Sequence, residues 1–205
     1  MTRVIGVTGG IATGKTTVTQ YLEATYECLI LDADHLARAA VQPGGEILDA
    51  IVRRYGLTML RPDGALDRER MGMLVFDQAR ERRWLEGMIH PWVRDRLEEG
   101  VQEWRDRPSH LSQQSLVLSI PLLFEAQLED LVDEIWVVAC SGEVQLRRLM
   151  ERDRRGETDA KNRISAQMSL DKKCDRADIV IHNNGDLQSL WQGIDSAWQP
   201  HNMLG

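Results

Sequence analysis

A glycine-rich run, Gly9-Gly10-Ile11-Ala12-Thr13-Gly14-Lys15-Thr16-Thr17, carries the most definite chemistry in the chain. From Gly9 through Thr16 it satisfies the pattern G-x-x-x-x-G-K-[ST], whose physical content is anion binding. Gly9 and Gly14 permit backbone conformations closed to other residues and let main-chain N–H groups approach a phosphate. A helix beginning at that point adds its unpaired N–H groups and the positive end of its dipole. Gly10, Ile11, Ala12, Thr13, Gly14, Lys15, Thr16 and Thr17 are thus candidate contacts for the phosphates of a nucleoside triphosphate. Lys15 can reach the β- and γ-phosphates, and the Thr16 hydroxyl can ligate Mg²⁺. Both of these side chains are expected to face solvent before a ligand arrives.

Other residues of reactive type are scattered more widely. Asp32 and Asp34 stand one residue apart at the end of the apolar run Leu29-Ile30-Leu31. In an open α/β sheet, ligands bind beyond the carboxyl ends of the strands, so at least one carboxylate would point at a phosphate site. Which one faces a metal and which a substrate is open, and Asp34 could equally cap a helix starting near His35. From Arg147 to Arg163 the chain is markedly basic, with Arg147, Arg148, Arg152, Arg154, Arg155 and Arg163 around a break at Gly156. Arg148 and Arg152 share a helical face at i,i+4, where like charges repel unless an anion lies between them. A phosphoryl group in transfer is such an anion, which makes an arginine-bearing lid the reading that suits the glycine-rich run. A solvated helix paired with Glu143, Glu151 and Asp153 is the alternative. In Pro121-Leu122-Leu123-Phe124-Glu125, the apolar residues could wall a pocket, and Glu125 by itself reads as a surface charge. The turn Asn183-Asn184-Gly185 is a plausible edge for an adenine ring, or simply a loop of left-handed residues.

These groups need a frame to hold them. Strand-like runs occur at Val4–Thr8, Cys28–Asp32, Ser115–Ile120, Glu134–Ala139 and Asp178–His182, and helical patterns follow nearly all of them. That alternation predicts a parallel sheet covered on both faces. The interval from about 34 to 110 contains no convincing strand. Its longest pattern sets Leu85, Ile89, Val93, Leu97 and Val101 at i+4 spacing, beside a second line of Trp84, Met88 and Trp92. Core packing explains that second line better than a ligand-facing aromatic row. Pro91 should kink this helix or start a new one. Arg80–Arg83 and Arg105–Arg107 read as solvated helix surface.

Composition narrows the field further. A chain of 205 residues with 42% hydrophobic content suits one α/β domain, with room for an inserted helical part. A formal net charge of −7 argues against a general nucleic-acid binder. Cys28, Cys140 and Cys174 are odd in number and widely spaced, which suggests neither disulfides nor a zinc site. His35, His90, His110, His182 and His201 share no ligand spacing. The first strand begins almost at once, leaving no room for a signal peptide, and no apolar run is long enough to span a bilayer. A cytoplasmic protein without a membrane contact or an obligate protein partner is the expectation.

Taken in order, the motifs resemble the dephospho-coenzyme A kinase family over nearly the whole chain. The opening Gly6-Val7-Thr8-Gly9-Gly10-Ile11 with Gly14-Lys15-Thr16-Thr17 is similar to that family's start, and Asp32-Ala33-Asp34 matches its DAD signature. His90-Pro91, Pro121-Leu122-Leu123-Phe124-Glu125, Arg152-Asp153, Arg163-Ile164 with Gln167, Ala177-Asp178 and Asn183-Asn184-Gly185 follow in the family's sequence. Ala12-Thr13 departs from the Gly-Ser common there. The resemblance implies a three-layer P-loop kinase fold of the α/β class, with a parallel sheet of about five strands. Its parts would be a core at about 1–33, 111–142 and 176–205, a helical substrate-binding insertion at about 34–110 and a helical lid at about 143–175.

The activity it implies is transfer of the ATP γ-phosphoryl, with Mg²⁺, to the ribose 3′-hydroxyl of dephospho-coenzyme A. By the same resemblance Asp34, Lys15 and Arg152 are the catalytic residues, with Asp34 the base. Arg148 and Asn184 would contact ATP, and His90, Leu122 and Arg163 would join Asp34 around the second substrate. Another P-loop small-molecule kinase would share Lys15 and Thr16 but gives no reason for the DAD and PLLFE pairing. A guanine-nucleotide switch would need N-K-x-D, which the sequence lacks. The D-x-x-G from Asp153 to Gly156 lies in the basic hairpin rather than after a strand.

Overall fold

The computed structural model describes residues 3–108, 115–154 and 156–198. The described chain separates into two compact units, one of residues 3–32 with the described residues from 100 onward and one of residues 33–99. In the first unit, strands β1 (Val4–Gly9), β2 (Leu29–Asp32), β3 (Leu116–Ser119), β4 (Glu134–Ala139) and β5 (Ile179–His182) form one sheet. Its order is β2-β3-β1-β4-β5, and every pairing is parallel. The strands lie within a residue or so of the runs expected from sequence. β1 is fully buried because it sits centrally, so both of its faces must be apolar. Chain connections leave it in opposite directions, β2 and β3 to one side and β4 and β5 to the other. That arrangement opens a crevice at its carboxyl end.

Helix α1 (Lys15–Tyr26) and helix α9 (Leu187–Trp198) cover one face of the sheet. Val18 and Leu22 from α1 and Leu190 and Ile194 from α9 join Ile5, Val7, Val117, Trp136 and Val138 in a single core. Cys28 belongs to it, and burial pushes its thiol up to about 12, as suits a plain core residue. On the opposite face Leu123 presses against β1 so closely that a Cβ on Gly6 would stand 2.8 Å from its Cδ1. Helix α6 (Gly142–Asp153) and helix α7 (Glu157–Ser165) form the arginine-bearing hairpin, with Gly156 as the cap between them. A short helix α8 (Leu170–Cys174) returns the chain to β5. Arg155, His110 and His201 lie outside the described residues.

The second unit is helical, with α2 (Ala33–Ala39), α3 (Glu46–Tyr55), α4 (Arg68–Asp77) and the larger part of α5 (Ala79–Arg105). Its β structure, among the described residues, is an isolated bridge between Leu60 and Leu66. Ile47, Leu48, Ile51, Met59 and Met71 form its core, and Trp84, Met88 and Trp92 pack against them. The second aromatic line is therefore core. Two of the open alternatives fall away here. α5 runs through Pro91 as one helix, so no new helix starts there. An interior proline costs roughly 3 kcal/mol, and the buried Val93 and Leu97 that follow it offset that loss. Helix α2 begins at Ala33, not near His35, so Asp34 stands inside the first turn rather than at the cap.

Candidate active site

The glycine-rich run forms the turn between β1 and α1, and its geometry explains its composition. Gly14 has a φ of 100°, in the left-handed region that favours glycine. No side chain caps α1 behind it, so the first-turn amides carry no competing intramolecular acceptor from a capping residue. Ala12 also has a positive φ, of 61°, which costs a residue bearing a Cβ about 1 kcal/mol. This is the position at which the sequence departs from the Gly-Ser of its family pattern.

Side chains from distant segments fasten the loop by its backbone. Gln145, buried on α6, donates from Nε2 to the Ile11 carbonyl at 2.9 Å. The Ile11 N–H donates to Gln167 Oε1 at 2.8 Å. Asn183 Nδ2 donates to the Thr13 carbonyl at 2.8 Å, and Thr13 Oγ1 closes the turn onto the Gly10 carbonyl at 2.9 Å. The braces fit tightly: a Cβ at Gly10 would stand 2.5 Å from Gln145 Nε2, and one at Gly14 would stand 2.1 Å from Asn183 Nδ2.

Lys15 is not extended into solvent, contrary to the sequence expectation. It folds back along the strand ends, donates to Ser119 Oγ, and lies 3.7 Å from Asp32 Oδ2. Ser119 Oγ in turn donates to that same carboxylate oxygen at 2.6 Å. The ammonium takes these partners because a mostly buried cation must be paired. Thr16, the next residue, does stand exposed as expected. Lysine, hydroxyl and carboxylate are thus brought together at the ends of β2, β3 and β1, next to the glycine-rich turn. The Thr16 hydroxyl and Asp32 carboxylate are hard oxygen donors of the kind Mg²⁺ prefers.

The arginines divide their tasks. Arg148 turns inward, donating from Nη1 to the Asn183 carbonyl at 2.8 Å and from Nη2 toward Asn183 Oδ1 at 3.4 Å. Arg152 donates to Asp153 Oδ1 at 2.7 Å, and Arg163 donates to Asp153 Oδ2 at 2.7 Å. One carboxylate holds two guanidinium groups, and its hydrogen bond raises the Arg152 guanidinium above its ordinary value. Asn184, picked from sequence for the adenine edge, accepts from the Ser141 N–H at 2.6 Å through Oδ1. The brace on the loop comes from its neighbour Asn183. Leu122 is 37% exposed on the turn after β3. His90 is exposed on α5, and Asp34 is exposed in the first turn of α2, both in the helical unit.

Sequence reasoning missed the partners that act through backbone. Gln145 and Ser119 gave no signal of their own, Asn183 stood out only as part of the turn Asn183-Asn184-Gly185, and nothing in the sequence singled out Lys173. Lys173 is fully buried, and its Nζ lies 3.0 Å from Glu125 Oε1. Glu125 is exposed, as its reading as a surface charge expects, and its carboxylate also partners this buried lysine. The cue available in the sequence was the carboxylate closing an otherwise apolar run, Leu122-Leu123-Phe124-Glu125, which needs a cation if it folds inward.

Comparison with known proteins agrees with this geometry. A family model described as dephospho-CoA kinase matches residues 3–189. A dephospho-CoA kinase of Trichormus variabilis is 49% identical over 195 residues, covering 95% of this chain and 96% of the relative. A solved dephospho-CoA kinase from Campylobacter jejuni superposes with a TM-score of 0.73 at 26% identity, covering 97% of this chain and 96% of its own. A shikimate kinase from Acinetobacter baumannii, at 16% identity and a TM-score of 0.53, covers 100% of this chain and 97% of its own and shares the fold alone.

Proposed function

We propose how the site works in a chain that belongs to the dephospho-CoA kinase family, for which ATP-dependent phosphorylation of dephospho-coenzyme A is the reaction. The acceptor is the ribose 3′-hydroxyl, and the products are coenzyme A and ADP. The observation that carries the reading is the cluster of Lys15, Ser119 and Asp32 at the strand ends beside the glycine-rich turn. On ATP binding, Lys15 exchanges Ser119 for the β- and γ-phosphates, and the loop amides from Gly10 to Thr17 hold the phosphate chain. Thr16 and Asp32 would hold Mg²⁺, which when bound neutralises charge on the phosphate oxygens.

Asp34 accepts the proton of the 3′-hydroxyl as its oxygen bonds to the γ-phosphorus and the bond to the ADP oxygen breaks. Support for this assignment comes from its place two residues beyond Asp32 and from its exposure in a first turn where it is not the cap. The segment 34–110 receives dephospho-coenzyme A, with His90, Leu122 and Arg163 among its contacts. The segment 143–175 acts as the lid, Arg152 supplying charge to the transferring group and Arg148 and Asn184 lying toward ATP. A cytoplasmic location suits the free thiols of Cys28, Cys140 and Cys174. Among the described residues, no helix is long and apolar enough to cross a membrane.

The test is phosphoryl transfer by Asp34→Asn. This change keeps size and hydrogen bonding but removes the base, so single-turnover rate should fall about 10²- to 10⁴-fold with ATP affinity nearly unchanged. Transfer at the wild-type rate would return Asp34 to a structural role. ADP release that does not depend on dephospho-coenzyme A would overturn the substrate assignment.

A further inference from the structure

The buried lysine has no part in the chemistry above, and its cost calls for a reason. Removing an ammonium from water costs several kcal/mol unless the group is paired and hydrogen-bonded. Lys173 is 0% exposed, and each of its contacts is an oxygen at the edge of the site. Nζ donates to the Pro121 carbonyl at 2.9 Å, and it meets both oxygens of Glu125, at 3.0 and 3.2 Å. A longer contact of 3.5 Å reaches the carbonyl of Gly9, where β1 becomes the phosphate loop. The Pro121 carbonyl also accepts from Thr8 Oγ1 at 3.2 Å, immediately before that junction.

Two more bonds leave the same short stretch of chain. The Met168 N–H donates to Glu125 Oε1 at 3.0 Å, and Gln167 Oε1 accepts from the Ile11 N–H at 2.8 Å. Residues 167–173, which lead out of the α6–α7 hairpin, are thus tied to the phosphate loop at Gly9 and Ile11. They are also tied to the turn after β3 at Pro121 and Glu125. Apolar residues in place of both Lys173 and Glu125 would avoid the desolvation cost, and such replacement of an ion pair is often neutral or stabilising. A charge kept here fixes positions that apolar packing, which is non-directional, leaves free.

We infer that Lys173 is a positioning residue for ATP: with Glu125 it locks the strand-to-loop junction at Gly9 to the foot of the arginine-bearing hairpin. This inference rests on the reading of the glycine-rich loop as the ATP site. Its consequence is selective. Loss of the pair should loosen the loop amides that bind phosphate, while dephospho-coenzyme A, once ATP saturates, meets an unchanged site.

The test uses the full chain and a non-hydrolysable ATP analogue, titrated calorimetrically, with steady-state kinetics alongside. Lys173→Met should weaken analogue binding about tenfold or more, a change that 1.4 kcal/mol produces. The KM for dephospho-coenzyme A at saturating ATP should stay within about twofold. Lys173→Arg restores the charge and should recover part of the affinity. Glu125→Gln keeps the shape and an oxygen for the Met168 N–H, so it tests the charge pair even if the methionine variant does not fold. Its analogue affinity should fall about threefold or more. A role in stability alone predicts a lower melting temperature with wild-type analogue affinity, and that result in either Lys173→Met or Glu125→Gln overturns the inference. A wild-type chain that binds no analogue overturns the ATP reading itself.

Discussion

Gly14 and Asn183 should behave as one unit under mutation. Gly14→Ala forces a Cβ into a φ of 100°, at about 1–2 kcal/mol for the left-handed conformation. The same Cβ would stand 2.1 Å from Asn183 Nδ2, so the amide must leave. Its departure strands the Thr13 carbonyl that it reaches at 2.8 Å, adding about 1–3 kcal/mol for a lost buried bond. Asn183→Ala alone removes that bond and the 3.4 Å contact of Arg148 Nη2 with Asn183 Oδ1, leaving the Arg148 bond to the residue 183 carbonyl, for a similar 1–3 kcal/mol or so. The double variant cannot lose the bond twice, nor does its added methyl group meet an amide. It should therefore cost no more than Gly14→Ala, giving a coupling of about 1–3 kcal/mol. Urea unfolding of the four proteins measures the cycle, and ATP-analogue affinity should show coupling of the same sign. Single effects that add to within about 0.5 kcal/mol would refute the argument, since they would mean the two side chains do not compete for one space.

Arg152→Ala should reduce kcat on the order of 10²-fold, as removal of a donor aimed at developing charge does. Stability should hardly move, because Asp153 keeps Arg163 at 2.7 Å; a variant with raised KM values and normal kcat would show that Arg152 binds ground states only. Asp186, just ahead of α9, accepts from the Ser189 N–H at 2.8 Å, and that bond lowers its carboxyl below the ordinary range. A lowered carboxylate stabilises the fold above its unfolded value and loses the contribution as pH falls through the folded one. Wild type should exceed Asp186→Ala in denaturation midpoint at neutral pH, and the gap should close well below about pH 4. A gap that persists in acid would mean the side chain acts other than as a charged cap.

How much of this site could be read in advance depended on whether its physics is local. The loop is local: two glycines, a lysine and a threonine between an apolar strand and a helix specify their own geometry, and so the turn between β1 and α1 was legible. The strands were legible for the same reason, since parallel strands buried on both faces are short continuous apolar runs. Lys15 was misjudged because its resting partners, Ser119 and Asp32, arrive from two other strands through the register Asp32↔Ser119. No pattern within either strand announces that pairing. The pairing of Glu125 with Lys173 was not legible, because the two could only be understood together. Each looks like a solvated charge until the other lies 3.0 Å away, 48 residues distant in sequence. The brace Gln145 shares this property, for it answers a backbone group that any residue type would offer at that place, and Gln167 and Asn183, though they stand in the family's motifs, carry no local sign of the backbone groups they hold. Side chains that contact substrate are constrained by chemistry and leave motifs. Those that hold the loop are constrained by distance across the fold, so several chemistries serve and the sequence carries little trace of them.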